Sequence, residues 1–372
     1  MWSYESNPSN LIDNFSSAVD ADVPSRGGWS EDFSAVCSKY KIPVPCPYIK
    51  AVTSGSGPDM QQRIRIINAM VDLSSWRAML LAACCVGSKV KEISVHNCHI
   101  EPVFLRDLAT ALRKLGTCPI LRLHYLQMDF SKSYMDFQSA FVALLSDLTC
   151  VEHLSLKGNR LSDDFVTPLI TAVAENFKLT TLNLSENDLT DVAAAQLLRS
   201  LRFSTTLKRI SLCSTLVDGS SCLSALSSVL VGTDVSADDE AKLKLIGKQV
   251  VDKNKAIKEL NKKRKKSGSP DVVEVAPSLD CCVKRDGKMV AINRSLAALD
   301  LSRNPLLDFQ TVQLFSQSIA SLPANESPLP PAASLISTDV NKLTVLLRGH
   351  SQSLVDYEVD LSPQQWLLIS ST

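Results

Sequence analysis

Residues 151–161 read VEHLSLKGNRL, and residues 179–189 read LTTLNLSENDL, starting 28 residues later. Laid over each other, they place apolar side chains at positions 1, 4, 6 and 11 and Asn at position 9. Side chains of a strand alternate between faces, so positions 4 and 6 point inward and positions 3, 5 and 7 outward. Each segment is followed by an amphipathic stretch of helical period. A strand–helix unit of this size cannot bury its own apolar face, so successive copies must stack on one another. The expectation is an α/β solenoid with parallel strands on a concave face and helices on a convex face.

Further copies lie on both sides. VKEISVHNCHI starts at Val90, ILRLHYLQMDF at Ile120, LKRISLCSTLV at Leu207 and LAALDLSRNPL at Leu296, while LTVLLRGHSQS from Leu343 keeps only a strand. The first five copies start at 90, 120, 151, 179 and 207, in steps of 30, 31, 28 and 28 residues. In this frame position 9 holds Cys98, Met128, Asn159, Asn187, Thr215 and Asn304. An amide there satisfies backbone groups where the chain turns out of the strand. Cys98 and Thr215 substitute in part and Met128 hardly at all, which predicts a regular middle and looser flanks. The pattern resembles that of leucine-rich repeat proteins. The long period and the Cys at position 9 resemble their ribonuclease-inhibitor class.

Five regions follow. Residues 1–58, rich in Ser, Asp and Pro, read as a mostly disordered N-terminal arm, within which DFSAVCSKYKIPVPCPYI from Asp32 reads as a short helix and an extended arm. Residues 59–89, with IRIINAMVDLSSWRAMLLAACCV, read as a helical N-terminal cap. Residues 90–231 carry five repeats. Residues 232–290 form a Lys-rich helical insertion. Residues 291–372 hold one or two further repeats and a C-terminal cap, with Trp366 and Leu368 as covering residues. In the insertion, Asp238–Lys266 carries eleven Lys/Arg and five Asp/Glu, a net charge of +6. Its acidic residues lead and its basic residues trail, as a helix dipole favours. Leu243, Ile246, Val250, Ile257 and Leu260 make an apolar stripe that lies on the solenoid's own flank or meets a partner helix.

The totals are balanced: 39 basic and 39 acidic residues, with 45% of the chain apolar. That disfavours a chain-wide nucleic-acid or membrane field. No apolar run reaches the roughly 18 residues of a membrane span. The start, MWSYESNPSN, has neither the basic nor the apolar region of a secretory leader, so a cytoplasmic chain is expected. Eleven Cys without such a leader read as reduced thiols.

No catalytic motif stands out. Phosphate-cradling, nucleophile-elbow and zinc-protease patterns are absent, and Gly (13) and His (5) are sparse. The chain reads as a non-enzyme with no cofactor, metal site or small-molecule substrate. Its candidate partner-binding residues are those aimed at the concave face, namely His96, His124, His153, Lys157, Asn183, Ser185 and Arg209, beside Lys91, Glu92, Ser94, Arg122, Thr181 and Ser211. His153, His124 and His96 take positions 3, 5 and 7 of successive repeats, which predicts a diagonal with about 8 Å between neighbours. The face lacks the aromatic anchors of a strong hot spot. A second candidate is the run Lys262, Lys263, Arg264, Lys265 and Lys266, suited to an acidic protein partner or nuclear import. Nucleic acid is disfavoured, because no aromatic residue interleaves with these charges.

The layout as a whole resembles the leucine-rich repeat-containing protein 71 family. It has repeats, then a Lys-rich insertion, then a return through VKRDGKMVAINRSLAALDLSRNPL with Arg285-Asp286-Gly287-Lys288. That resemblance implies a non-enzymatic scaffold of the ciliary or flagellar axoneme with axonemal protein partners. The alternatives are a regulator of another enzyme, of inhibitor or GTPase-activating type, and a nuclear adaptor.

Overall fold

The computed structural model describes residues 15–21, 23–43, 49–54, 61–88, 90–115, 118–146, 148, 150–175, 178–267, 282–285, 288–291, 293, 295–296, 298–301, 303–307, 311, 315 and 344–346. The chain divides into two compact units. The N-terminal unit is residues 1–159 with 261–272, and the C-terminal unit is residues 160–260 with 273–372.

The N-terminal unit alternates strands with helices. After α1 (Phe15–Asp20) and α2 (Trp29–Tyr40) come β1 (Ile49–Ser54), β2 (Gln61–Ile67), α3 (Leu73–Ala83), β3 (Val90–His96), α4 (Pro102–Lys114), β4 (Ile120–His124), α5 (Phe130–Ser146) and β5 (His153–Ser155). β2 to β5 pair in parallel in chain order, and β1 pairs antiparallel on the outer edge of β2. Inward side chains at positions 4 and 6 make the core: Ile64 and Ile66, Ile93 and Val95, Leu121 and Leu123, Leu154 and Leu156 are all buried. Each such side chain contributes about 1.5–3 kcal/mol on leaving water.

Two expectations are corrected here. Residues 59–89 are not a wholly helical cap. Gln61–Ile67 is a strand paired with β3, and its Ile64 and Ile66 stand opposite Ile93 and Val95, so this segment is itself a repeat. The arm at residues 1–58 holds two helices and a strand, and Phe15, Val19, Trp29 and Phe33 are buried. Apolar side chains spaced along FSSAVD and WSEDFSAVC supply the burial that a disordered segment lacks. Residues 1–14 lie outside the described residues.

Indole donors tie the helices together. Trp29 Nε1 donates to the Met79 carbonyl (3.2 Å), and Trp76 Nε1 donates to the Phe104 carbonyl (3.1 Å). A buried Trp adds large apolar area while its N–H stays satisfied. Arg77 on α3 and Asp107 on α4 form a buried two-point ion pair at 2.7 and 3.1 Å. Burial raises the Asp107 carboxyl above its ordinary value, and the Arg77 guanidinium opposes that rise.

The C-terminal unit contains α6 (Val166–Glu175), β6 (Thr181–Asn183), α7 (Asp191–Ser200), β7 (Arg209–Ser211) and α8 (Ser220–Val231). Then come β8 (Thr233–Asp234), the long helix α9 (Ala237–Ser267), β9 (Cys282–Arg285), β10 (Lys288–Ala291), β11 (Ala298–Asp300) and β12 (Thr344–Leu346). β6, β7, β11 and β12 pair in parallel. The insertion therefore leaves after β7 and α8, and β11 resumes the sheet directly beside β7. Val345 stands opposite Leu299, one residue from the frame that starts at Leu343. The expected C-terminal cap, with Trp366 and Leu368, lies outside the described residues.

β8 and β9 flank the central β10 in a small antiparallel sheet, so the chain leaves for α9 from one edge of that sheet and returns at the other. Arg285 pairs with Lys288, and between them lies Asp286-Gly287, a sequence favoured in two-residue hairpin loops. Ser236 and Asp239 cap α9 reciprocally, at 3.1 Å (Ser236 N to Asp239 Oδ2) and 3.2 Å (Asp239 N to Ser236 Oγ). Along the expected stripe Leu243 is buried, while Leu245 and Val251 beside it are exposed.

The amide ladder is visible residue by residue. In the N-terminal unit Asn159 accepts from Leu126 N (2.8 Å) and donates to the Leu123 and Leu156 carbonyls. In the C-terminal unit Asn187 accepts from Leu161 N and donates to the Leu184 carbonyl (2.8 Å). Asn304 accepts from Thr215 N and donates to the Leu212 and Leu301 carbonyls. One residue earlier, at position 8, the backbone is left-handed in repeat after repeat, at Asn68, Asn97, Tyr125, Gly158, Glu186, Ser214 and Arg303. That residue turns the chain out of the strand.

Candidate functional site

The second repeat sits two residues earlier than the frame that starts at Ile120. Leu121 and Leu123 stand opposite Ile93 and Val95, so the repeat begins at Cys118. Position 9 is then Leu126, not Met128, and Tyr125 is 40% exposed rather than inward. Either frame keeps Arg122 and His124 on the outward face, because a shift of two preserves the side. The rows across the sheet do change.

Position 5 of the N-terminal unit runs Arg65, Ser94, Arg122 and Ser155, position 3 runs Arg63, Glu92, Ile120 and His153, and position 7 starts Ile67, His96 and His124. His96 and His124 are register partners, with ring centroids 4.5 Å apart in an edge-on arrangement. His153 belongs to the position-3 row, opposite Ile120, so the expected diagonal of three does not form. His124 Nε2 lies 2.7 Å from Ser155 Oγ. Burial holds the His124 imidazole down to about 3, with further lowering from His96, Arg122 and Lys157. It is therefore a neutral hydrogen-bonding group at ordinary pH. Lys157 Nζ sits 5.5 Å from the centre of the Tyr125 ring, a cation–π contact.

Glu92 organises the face. Its side chain is 1% exposed. Oε1 accepts from Ser94 Oγ (2.6 Å) and from Arg122 Nη1 (2.9 Å), and Oε2 lies 3.4 Å from Arg63 Nε. Oε2 has no hydrogen-bond partner among the described residues. A buried carboxylate is tolerated only when cations answer it, and here two guanidiniums on neighbouring strands do so. Those guanidinium side chains remain 38% (Arg63) and 32% (Arg122) exposed. The result is a charged plate spanning β2, β3 and β4, fixed from beneath.

The corresponding face of the C-terminal unit is different. Ser185 Oγ and Ser211 Oγ are 2.7 Å apart, and Ser211 donates to Asp300 Oδ2 at 3.1 Å. Asn183 accepts from Ser185 N at 2.9 Å. Thr181 and Arg209 share the position-3 row. Short polar side chains here satisfy one another.

Of the basic run, Lys262 is exposed on α9, while the side chains of Lys263, Arg264, Lys265 and Lys266 lie outside the described residues. Sequence reasoning missed Arg63, Arg65 and Tyr125. The strict alternation of QQRIRII was the available signal for the first two. Among the described residues, no group of three or more His, Cys, Asp or Glu gathers as metal ligands would. No described helix is long and apolar enough to cross a membrane.

A family model described as "Leucine Rich repeat" matches residues 175–198, which include β6 and the start of α7. No curated protein matches the chain. A similar solved structure is an internalin from Listeria monocytogenes, 18% identical, with a TM-score of 0.29 over 57% of this chain and 56% of that one. Within each unit the fold is a series of strand–helix repeats with parallel strands, and the family match falls on one of these repeats.

Proposed function

We propose that this chain is a non-enzymatic interaction scaffold that captures a protein partner on the outward sheet face of its N-terminal unit. The observation that carries this reading is the plate of Arg63, Glu92 and Arg122. A surface held in place by a buried carboxylate loses little side-chain freedom on binding, which favours affinity. The same reading takes the axoneme of a cilium or flagellum as its setting. It rests there on the resemblance of layout and on Lys262–Lys266, whose charge suits acidic protein tails.

Two measurements test it. A photoreactive residue replaces the exposed His153 on the sheet face, and in a control replaces Val142, exposed on α5. In extract of flagellated cells, a discrete cross-linked product from position 153 and none from position 142 is expected. Labelling from 142 alone would overturn the choice of face. A tagged chain should resist detergent extraction along the flagellum. Nuclear signal that disappears when Lys262–Lys266 become Gln would replace the axonemal setting with a nuclear adaptor.

A further inference from the structure

Accepting that the N-terminal sheet face is the docking surface, the chemistry of its partner can be read from the position-5 row. Arg65 and Arg122 stand on β2 and β4, with Ser94 opposite both on β3. Neighbouring strands are about 4.8 Å apart, so the two arginines rise from backbones about 10 Å apart across a small residue. Ser94 is 1% exposed and donates to the Glu92 oxygen that Arg122 also binds, so this row is covered and the outer surface over it is cationic. Arg122 is committed to Glu92 on one side, whereas Arg65 is half-buried and has no ion-pair partner among the described residues. Four cations, Arg63, Arg65, Arg122 and Lys157, meet a single carboxylate, Glu92, among the described residues of these rows. Ile67 (51% exposed), Met70 (82%) and Tyr125 (40%) are exposed large apolar side chains on the same repeats.

We infer that the exposed parts of Arg65 and Arg122 receive a carboxylate side chain from an acidic protein segment whose neighbouring residues are apolar. Guanidiniums recognise carboxylates through paired N–H donors, which fits Arg rather than Lys at both positions. Arg, Tyr and Met are also the residues enriched where interfaces concentrate their binding energy.

The test uses the full-length chain and a fluorescent synthetic peptide of alternating Glu and Leu, with a Lys–Leu peptide as control. Saturable binding of the acidic peptide, weakening with added salt, is expected. Arg65→Glu should weaken it at least about tenfold, equivalent to roughly 1.4 kcal/mol. Because no described residue pairs with Arg65, its melting curve should match wild type. Equal affinity in Arg65→Glu, preference for the Lys–Leu peptide, or no binding of the acidic peptide would each overturn the inference. If cross-linking from position 153 persists in any of those cases, the docking face stands and only the acidic partner falls. If cross-linking fails as well, the function reading falls with it.

Discussion

The two units build the same strand and helix with opposite emphasis. In the C-terminal unit position 9 holds Asn187, Thr215 and Asn304, which bond the backbone within and between repeats. Beside Arg209, its outward face is short hydroxyl, amide and carboxylate side chains bonded to one another or to the backbone. In the N-terminal unit position 9 is Ala69, Cys98, Leu126 and, last of all, Asn159. There the polar investment lies on the outward face, in Glu92 and its arginines. A repeat can place hydrogen-bonding groups where they fix the turn or where a partner can meet them. This chain separates the two tasks by unit.

The largest expected effect tests the ladder. Asn187→Leu keeps the branched outline but orphans Leu161 N–H and the Leu184 carbonyl, both buried. It should cost about 2–3 kcal/mol in urea unfolding. Cys98→Ala in the N-terminal unit loses thiol contacts of 3.2 and 3.7 Å, and should cost about 1 kcal/mol or less. Equal losses would erase the contrast between the units.

A smaller effect is expected at Gly158. A Cβ there would lie 2.3 Å from the Tyr125 ring, and its backbone φ is +70°. Gly158→Ala should cost about 1–2 kcal/mol and move Tyr125 off Lys157. An unchanged melting temperature together with unchanged Tyr fluorescence would show that the ring is not seated there.

The last effect is a pH slope. His124 is held near 3 by burial in the folded chain, against 6.5 for an ordinary imidazole. The unfolded chain therefore binds more protons as pH drops. The contribution of His124 is fully present above about 6.5 and is lost as pH falls toward 3. Urea midpoints near pH 7.5 and near pH 5 should differ less in His124→Gln than in wild type. Identical slopes would remove the imidazole from the plate's energetics.

Much of the fold was legible in the sequence, for reasons visible in single residues. Asn159, Asn187 and Asn304 each mark a turn whose backbone needs an amide, so their repeats were placed correctly. The run ILRLHYL fits the strand pattern in two frames, and only pairing with Ile93 and Val95 chooses between them. QQRIRII was absorbed into a helical reading because the apolar residues after it have helical spacing, and a short apolar run suits either state. That error hid Arg63 and Arg65, and so half of the plate. The role of Glu92 could not be read from spacing at all, since it depends on cations contributed by the strands on both sides.

The small sheet of β8, β9 and β10 has one more consequence. It pins the two ends of the α9 segment at the two edges of one small sheet, so whatever lies between them is a closed loop. The entropy of closing a loop grows only with the logarithm of its length, about 0.6 kcal/mol for each doubling. The repeats enjoy no such latitude, because one residue added to a strand reverses every side chain beyond it. Among related chains the span between Ser236 and Cys282 should therefore drift widely in length while the repeat period holds.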